Sequence, residues 1–195
     1  RLHGLIERVS LTNMAHILIT GSKGVVGMML SDVLRSRGHQ VFGIDLAHHD
    51  GEIGWEHVMS AGNFTYARCD VGSFRELERV FEKVSPIDFV YHTAAEFGRW
   101  NGEDYYERVW RSNAIGTKNI IRMQERLKFK LIHFSSSEVY GDYEDIMAED
   151  IMERTEIKQL NDYALSKWVN AQQIRNSATQ HGTESVVVRL FNTFG

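Results

Sequence analysis

The sequence predicts an α/β fold in which a doubly wound parallel sheet is flanked by helices on both faces. Short apolar runs typical of buried strands alternate with segments of helical periodicity, in the order β-α-β-β-α-β-α-β-α-β. The first apolar run, residues 16–20, leads into a glycine-rich turn and then directly into a helix. Because such sheets bind ligands beyond the carboxyl ends of their strands, we expect a site at that edge.

The glycine-rich turn has the spacing G-x-x-G-x-x-G at Gly21, Gly24 and Gly27. Gly21 permits a tight turn, Gly24 lets the backbone approach a phosphate, and Gly27 lets the helix pack close to the strand. The helix start offers N–H groups and a partial positive charge to a pyrophosphate. The turn therefore predicts a Rossmann-type domain over residues 14–195, with residues 1–13, ahead of Met14, as an N-terminal extension.

The next elements set the choice of dinucleotide. Helical spacing predicts a helix over residues 25–37 that stops at Gly38, followed by a strand over 40–45. Asp45 closes this strand, where a dinucleotide fold places an acid on the adenosine ribose. A carboxylate there repels a 2′-phosphate, and Leu46 and Ala47 offer no arginine to bind one. NAD is therefore favoured over NADP.

Residues 47–62 are rich in glycine and histidine and predict a surface loop. His48, His49 and His57 lack the spacing of metal ligands, so we expect solvated histidines and no metal site. A third strand follows over residues 64–70. Ser73 and Glu76 then have the spacing of a capping box at the start of a helix.

The second half of the chain continues the alternation. Residues 88–95 predict a strand that ends in small side chains, which leave room for a flat cofactor. A long helix over 103–127 contains Asn113, either a satisfied core amide or a polar contact near the cofactor or an adjacent strand. Strands follow over 130–134 and 184–190, separated by an acidic, irregular segment (142–157) and a helix (163–180).

Tyr163 and Lys167 are four residues apart, and hence lie on one face of the last predicted helix. A free phenol has a pKa near 10, too high for a base at neutral pH. A neighbouring ammonium, together with a cationic nicotinamide, would stabilise the phenolate and lower that pKa. The pair therefore predicts a tyrosine base.

Composition narrows the classes of function. The chain has 195 residues, a formal net charge of −4 and no run of basic residues, which argues against a nucleic-acid partner. No apolar run approaches the ~20 residues that span a bilayer, so we expect no membrane partner. The single cysteine, Cys69, fits a reducing compartment, and we expect a cytoplasmic protein.

Taken together, these motifs resemble those of extended short-chain dehydrogenases/reductases of the nucleotide-sugar epimerase/dehydratase family. The matching segments occur in family order from about residue 15 to the end of the sequence. They are T-G-S-K-G-V-V-G at 20–27, C-D-V at 69–71, H-T-A-A at 92–95, S-N-A-I-G-T-K-N at 112–119, S-S-S-E-V-Y-G at 135–141, Y-A-L-S-K at 163–167 and R-L-F-N-T-F-G at 189–195.

The resemblance implies a role for each matched residue. Tyr163 would remove a proton from a sugar hydroxyl, Lys167 would hold the ribose and tune Tyr163, and Ser136 would share the substrate hydrogen bond. Glu138 would be an acid/base. The implied substrate contacts are Ser136, Ser137 and Asn192. The implied NAD contacts are Gly21, Lys23, Gly24, Val25, Val26, Gly27, Asp45, Leu46, Asp70, Val71, Thr93, Ala94, Ala95, Asn113, Ser135, Tyr163, Lys167 and Leu190.

The implied reaction is oxidation of a nucleotide sugar by NAD to a transient 4-keto sugar, as in epimerases and dehydratases. Two alternatives stay open. The Ser137-Glu138 pair also occurs in UDP-glucuronate-type decarboxylases, and a non-catalytic NAD-binding module would have no need of the tyrosine. The loop at 96–101, which includes Arg99, departs from the family pattern. We also expect a homodimer, and a truncated C-terminal substrate-binding portion.

Overall fold

The computed structural model describes residues 14–47, 59–97 and 106–192, and within them seven strands form one sheet. The strand order is β3-β4-β2-β1-β5-β6-β7. Every neighbouring pair is parallel except β3 with β4. The strands are β1 (His16–Thr20), β2 (Gln40–Asp45), β3 (Met59–Ala61), β4 (Phe64–Arg68), β5 (Phe89–His92), β6 (Lys130–Ser136) and β7 (Ser185–Leu190).

The helices connect these strands and lie on both faces of the sheet. A π-helix (Trp110–Ile115) joins α3 to α4, and a 3₁₀ turn (Ser137–Tyr140) follows β6. The α-helices are α1 (Val25–Ser36), α2 (Phe74–Val84), α3 (Tyr106–Val109), α4 (Gly116–Leu127), α5 (Ile151–Arg154) and α6 (Asp162–His181).

Alternate residues of the central strands face two separate apolar cores. Ile17 and Ile19 of β1 pack with Leu30 and Leu34 of α1 on one face. Leu18, between them in sequence, faces the other core, as the two-residue period of a strand requires. The members of that second core from the helices include Leu77, Val80, Phe81, Ile120, Ile121 and Ile174. Both faces are covered, which confirms the predicted doubly wound α/β sheet.

The order of the strands reverses beside β1. From β1 the chain moves outward through β2 to β4, then returns to the other side of β1 as β5 and moves outward again through β6 and β7. The carboxyl ends of β1 and β5 therefore separate two halves of the domain, and a crevice opens between them at the topological switch point.

The predicted loop at 47–62 is wrong at its end. Met59–Ala61 forms the short edge strand β3, which pairs antiparallel with β4. The two strands can pair because a two-residue turn at Gly62 and Asn63, where Gly62 has φ +63°, joins them. The Asn63 amide then donates to the Arg35 and His39 carbonyls at 2.9 and 2.8 Å, which ties the hairpin to the end of α1.

Four local details also differ from prediction. Ser73 precedes α2 without a side-chain capping bond, and the Glu76 carboxylate, which would accept from the Ser73 N–H in a capping box, accepts from the Asp70 N–H at 3.0 Å. The long helix predicted at 103–127 contains the π-helix. The segment predicted as irregular contains α5. Strand β5 ends at His92, so that residues 93–95 turn toward the crevice.

Candidate active site

A cleft of about 360 Å³ opens at the carboxyl ends of the parallel strands, where the strand order reverses. It brings together many of the residues implied as NAD contacts: Gly21, Lys23, Gly24, Asp45, Leu46, Val71, Thr93, Ala94 and Ala95. Its lining also includes residues that the sequence did not single out as contacts: Ile44, Ala47, Cys69, Glu96 and Ser112.

The glycine turn is built by two close approaches. A Cβ on Gly21, which has φ +69°, would lie 2.7 Å from the Ala94 backbone nitrogen. A Cβ on Gly27 would lie 2.1 Å from the Gly21 carbonyl oxygen. Gly21 therefore lets the turn contact the loop after β5, and Gly27 lets α1 begin directly on the turn. Gly24 remains in the cleft lining.

The start of α1 is suited to an anion. Its N-cap, Gly24, has an extended backbone and no side chain to cap the helix, and the first turn contains no acidic residue. The first N–H groups of a helix have no partner within the helix, and they attract a phosphate. Val25 is exposed, whereas Val26 packs against the core. The turn and the helix start together fit the pyrophosphate of a dinucleotide.

Asp45 joins the glycine turn to the end of β2. Its carboxylate accepts from the backbone N–H of Lys23 at 3.0 Å and of Ala47 at 3.2 Å. Tyr66 supports this arrangement, because its hydroxyl donates to the Ala47 carbonyl and its ring lies 4.8 Å from the Lys23 ammonium. Burial, assisted by Asp45, raises the pKa of Tyr66 to about 12, which keeps the phenol a donor.

A buried hydrogen-bond chain fixes the floor of the cleft. The Ala94 N–H donates to the Thr20 hydroxyl at 3.2 Å, and the Thr93 hydroxyl donates to the Thr20 carbonyl at 2.6 Å. His92 lies between the hydroxyls of Thr20 and Thr117, at 2.6 and 3.0 Å. Burial, with Lys167 nearby, lowers the pKa of His92 to about 3, so the imidazole is neutral.

Asn113 is buried and has all its amide groups satisfied. Its oxygen accepts from the Glu96 N–H at 2.8 Å, and its nitrogen donates to the Glu96 carbonyl at 3.1 Å and the Ser166 hydroxyl at 2.9 Å. The amide is thus satisfied, as the first interpretation predicts, and its partner Glu96 lines the cleft, which is consistent with the second. Its contacts hold the loop after β5 against α6, while the neighbouring Ser112 lines the cleft.

The implied catalytic residues meet where β6 ends and α6 begins. The Ser136 hydroxyl accepts from the Glu138 N–H at 3.2 Å, and it lies close enough to the Tyr163 phenol to act on its pKa. Asn161 caps α6 by accepting from the Ala164 N–H at 2.7 Å, and its amide nitrogen donates to the Glu138 carboxylate at 3.0 Å. The sequence did not identify Asn161, although asparagine is a common N-cap.

The electrostatics of Tyr163 depend on its burial. Burial and the Glu138 carboxylate raise its pKa, and Ser136 only partly opposes this. The Lys167 ammonium lies 5.7 Å from the centre of the Tyr163 ring and donates to the Phe134 carbonyl at 2.9 Å. Burial lowers the pKa of Lys167 to about 8. In the protein without cofactor the pKa of Tyr163 is therefore raised, and its lowering, which includes a cationic nicotinamide, stays a prediction for the protein with NAD bound.

The remaining site residues surround this group. Ser137 is half-buried in the 3₁₀ turn, Leu190 packs against the α1-side core, and Asn192 is exposed beyond β7. The buried Ser135 hydroxyl has no partner among the described residues. Phe97, which the sequence did not identify, contacts the edge of the Tyr163 ring at a centroid distance of 5.4 Å.

Several predictions concern parts outside the described ranges: the extension at 1–13, the histidines at 48, 49 and 57, and Arg99. Within those ranges, no group of three or more His, Cys, Asp or Glu side chains could hold a metal ion. The helices of the described part are all too short or too polar to cross a membrane.

The fold and the cleft define a dinucleotide-binding domain. Ser136, Tyr163 and Lys167 lie at the same carboxyl edge of the sheet, at the end of β6, and are not part of the cleft lining. A family model, the NAD dependent epimerase/dehydratase family, matches residues 17–195. The chain therefore belongs to this family, which confirms the predicted family and its cofactor, NAD.

Curated relatives act on nucleotide sugars. The chain is 32% identical over 181 residues to UDP-glucuronic acid decarboxylase 1 of Danio rerio, covering 92% of the chain and 41% of that protein. It is 27% identical over 191 residues to UDP-glucuronate 4-epimerase of Thermodesulfobacterium geofontis, covering 93% and 57%. The chain thus spans about half the length of these relatives.

Solved structures show the same fold. The epimerase Mth375 of Methanothermobacter thermautotrophicus superposes with a TM-score of 0.79 at 24% identity, covering 94% of the chain and 53% of that structure. Bordetella bronchiseptica WbmG, in complex with NAD and UDP, has a TM-score of 0.77 at 22% identity, covering 94% and 55%.

Proposed function

We propose that the whole protein is an NAD-dependent nucleotide-sugar epimerase or dehydratase that acts through a transient 4-keto sugar. The observation that carries the proposal is that Ser136, Glu138, Tyr163 and Lys167 meet at the end of β6, at the same carboxyl edge of the sheet as the cleft. A module that only bound NAD would need the cleft, but it would not need a tyrosine next to a serine at the end of β6.

The residues that would hold NAD extend along the cleft. The α1 start and the glycine turn would bind the pyrophosphate, and Asp45 would accept from the adenosine ribose hydroxyls. Thr93, Ala94 and Ala95 would contact the remainder of the dinucleotide, while Lys167 would reach the ribose on its nicotinamide side. When bound, NAD supplies the hydride acceptor for oxidation of the sugar.

The protein's own groups would move the proton. Tyr163 would take the proton of a sugar hydroxyl, with Ser136 hydrogen-bonded to the same oxygen. Since burial and Glu138 raise the Tyr163 pKa, the phenolate has to be stabilised when the site is filled. The Lys167 ammonium is the buried cation near the ring that would do this.

Glu138 supports a second candidate, a decarboxylase acting on a nucleotide-linked uronic acid. The Glu138 carboxylate accepts from the amide nitrogen of Asn161, the residue that caps α6, at 3.0 Å. In a dehydratase this group would remove the C5 proton, and in a decarboxylase it would assist loss of the sugar carboxylate. Two similar proteins act as decarboxylases by name, on UDP-glucuronic acid and on UDP-N-acetyl-alpha-D-glucosaminuronate.

The proposal extends to partners and location. Ser137 and Asn192 would contact the nucleotide sugar. A homodimer would bury the exposed apolar side chains of Tyr106, Ile115 and Leu165, which lie on the α3–α4 segment and on α6. A cytoplasmic location fits the buried free thiol of Cys69, the single cysteine of the chain.

The test is a substrate panel with the complete gene product. UDP-, dTDP- and GDP-sugars, including uronic acids, are added to the NAD-loaded protein, and reduction of the cofactor is followed at its near-ultraviolet band. Mass spectrometry of the product separates an epimer of unchanged mass from loss of water or of carbon dioxide. We expect reduction and conversion with a UDP-sugar. If no sugar reduces the cofactor or is converted, the proposed activity is wrong.

A further inference from the structure

Phe97, in the segment that follows β5, packs against the ring of Tyr163. The two ring centroids lie 5.4 Å apart, and the ring planes are nearly perpendicular, at 74°. Aromatic pairs favour this edge-to-face arrangement at such distances. Phe97 is 48% exposed, and Tyr163 is half-buried. The contact therefore covers part of the Tyr163 ring with a side chain from the segment after β5.

The backbone beside Phe97 is held by one buried side chain. The amide of Asn113 binds both backbone groups of Glu96, accepting from its N–H at 2.8 Å and donating to its carbonyl at 3.1 Å. Because hydrogen bonds are directional, this pair of bonds fixes both the position and the orientation of the chain. Glu96 also lines the cleft. Phe97 is therefore attached to a fixed point at the wall of the cleft.

The same amide is linked to the backbone of Tyr163. The Asn113 nitrogen donates to the Ser166 hydroxyl at 2.9 Å, and this hydroxyl donates to the Tyr163 carbonyl at 2.7 Å. Asn113 and Ser166 are both fully buried, and hydrogen bonds in such surroundings are strong. The hydrogen bonds and the ring contact thus form a closed set of five residues: Glu96, Asn113, Ser166, Tyr163 and Phe97. This closed set leaves the two rings little freedom to separate.

The phenol of Tyr163 has charged neighbours on two elements of the described part. Glu138 lies in the 3₁₀ turn after β6, and burial together with its carboxylate raises the pKa of Tyr163. The Lys167 ammonium, on α6 itself, lies 5.7 Å from the centre of the ring. Phe97 brings neither a charge nor a hydrogen-bonding group. Its ring can act on the phenol only by excluding water, which disfavours the phenolate, and by limiting how the Tyr163 side chain turns.

We propose that Phe97 is a positioning residue for Tyr163: the Phe97 ring keeps water from the phenol and holds the hydroxyl beside Ser136. The fixed backbone of Glu96 keeps Phe97 in place, so the wall of the cleft and the alignment of the tyrosine depend on the same segment. Exclusion of water also strengthens the attraction between a phenolate and the Lys167 ammonium. The inference rests on the proposed role of Tyr163 as the base and adds to it a residue without a reactive group.

The first test measures the ionisation of Tyr163 directly and needs no substrate. Isotope-labelled tyrosine is incorporated into the full chain, nuclear magnetic resonance follows the ring signals with pH, and Tyr163→Phe identifies the signal of Tyr163. In Phe97→Ala the phenol gains water, so we expect the midpoint of its titration to fall by about half a pH unit or more. Phe97→Tyr retains the ring and should keep the midpoint within about 0.2 pH units.

The matched control is Phe191→Ala. Phe191 is also an exposed phenylalanine next to a tyrosine: it is 54% exposed, and its ring centroid lies 6.1 Å from that of Tyr140. Loss of the Phe191 ring should leave the midpoint of the Tyr163 titration unchanged.

The second test measures turnover with the complete gene product. Phe97→Ala should lower kcat by about 10–100-fold, because a tyrosine that can turn away is no longer aligned with the substrate. The KM for the nucleotide sugar and the dissociation constant of NAD should change by about threefold or less, since the ring acts through Tyr163. Phe97→Tyr should recover most of kcat.

The outcomes distinguish this inference from the proposed function. An equal Tyr163 midpoint in Phe97→Ala and in the unaltered protein would overturn the inference. An equal shift in Phe191→Ala, or a Phe97→Tyr variant that behaves like Phe97→Ala, would also overturn it, because the effect would not depend on this ring. Lost NAD binding in Phe97→Ala would overturn it as well, since Phe97 would then support the cleft. An unaltered protein that converts no sugar would instead contradict the proposed function, and the titration would still decide the inference.

Discussion

The Lys167 ammonium nitrogen lies 5.7 Å from the centre of the Tyr163 ring, while its hydrogen bond goes to the Phe134 carbonyl, 2.9 Å away. The ammonium is thus anchored to β6. Burial raises the pKa of Tyr163 and lowers that of Lys167 to about 8. Without cofactor, the site therefore holds a protonated phenol beside a buried amine.

The buried amine predicts how stability responds to alkaline pH. Lys167 has a pKa of about 8 in the folded protein, against 10.5 as its reference value. Between these values the unfolded chain binds more protons, so this group raises the free energy of unfolding as pH rises. Relative to Lys167→Met, the unaltered protein should gain up to about 3 kcal/mol over this range.

Urea unfolding at pH 8 and pH 10.5 measures this difference. The control is Lys118→Met, because the Lys118 side chain is about half exposed. This variant should show the same rise in the free energy of unfolding between pH 8 and pH 10.5 as the unaltered protein. A Lys167→Met variant with the same pH dependence as the unaltered protein would show that Lys167 carries no burial penalty.

The two histidines beneath the cleft predict acid sensitivity. Burial lowers the pKa of His92 to about 3 and holds that of His133 well below its usual 6.5. Below pH 6.5 the unfolded chain binds more protons, so stability falls as the solution is acidified. Neither ring nitrogen of His133 has a partner among the described residues.

His133→Leu should therefore raise stability at pH 7 by about 1–2 kcal/mol, since it removes unsatisfied buried polar atoms. The loss of stability between pH 6.5 and pH 4 should also be smaller in this variant than in the unaltered protein. Thermal unfolding across this range measures both effects, with the exposed His181→Gln as control. If His133→Leu is less stable than the unaltered protein at pH 7 and loses as much stability between pH 6.5 and pH 4, buried neutral His133 is not the cause of acid sensitivity.

The close approach at Gly27 predicts a large effect of one methyl group. In Gly27→Ala the Cβ would lie 2.1 Å from the Gly21 oxygen, so the turn has to move. We expect NAD affinity to fall by more than about tenfold, since misplaced N–H groups no longer meet the pyrophosphate.

Gly38→Ala is the matched control at the other end of α1. A Cβ there meets no atom within 4 Å, but the residue has φ +84°. It should cost about 1 kcal/mol in stability and leave the NAD dissociation constant unchanged. Equal NAD affinity in both variants would show that the turn does not bind the cofactor.

Asp45 predicts the choice between NAD and NADP. Asp45→Asn removes the charge that repels a 2′-phosphate and keeps an oxygen for the Lys23 N–H. The preference for NAD should fall by about tenfold or more, because a repulsion between unit charges, about 1–4 kcal/mol at 4 Å, is lost. Binding of both dinucleotides is measured by calorimetry, with surface Asp32→Asn as control. If Asp45→Asn prefers NAD over NADP as strongly as the unaltered protein, Asp45 does not determine the choice of dinucleotide.

The sheet and the glycine turn could be predicted because their signals are local. An apolar run before Gly21 and a strand that ends at Asp45 are visible in a few consecutive residues. The edge strand β3 also has a local signal, the Gly62-Asn63 pair followed by residues that favour a strand. The prediction of a loop over 47–62 did not use this signal.

Other features depend on contacts between distant segments. Glu76 fits a capping box, yet it accepts from the Asp70 N–H, a partner that only the folded turn provides. Tyr163 and Lys167 are one turn apart, but in the protein without cofactor burial and Glu138 raise the pKa of Tyr163. Spacing predicts which groups meet, whereas the packing around them sets their charge.

The most direct test of the central claim is the turnover of Tyr163→Phe in the complete gene product. If Tyr163 is the base, loss of its hydroxyl should lower the rate of sugar-dependent NAD reduction by about 10²–10⁴-fold. The NAD dissociation constant should change little, and Tyr91→Phe, in the α1-side core, should retain the rate. Undiminished turnover in Tyr163→Phe would contradict the account.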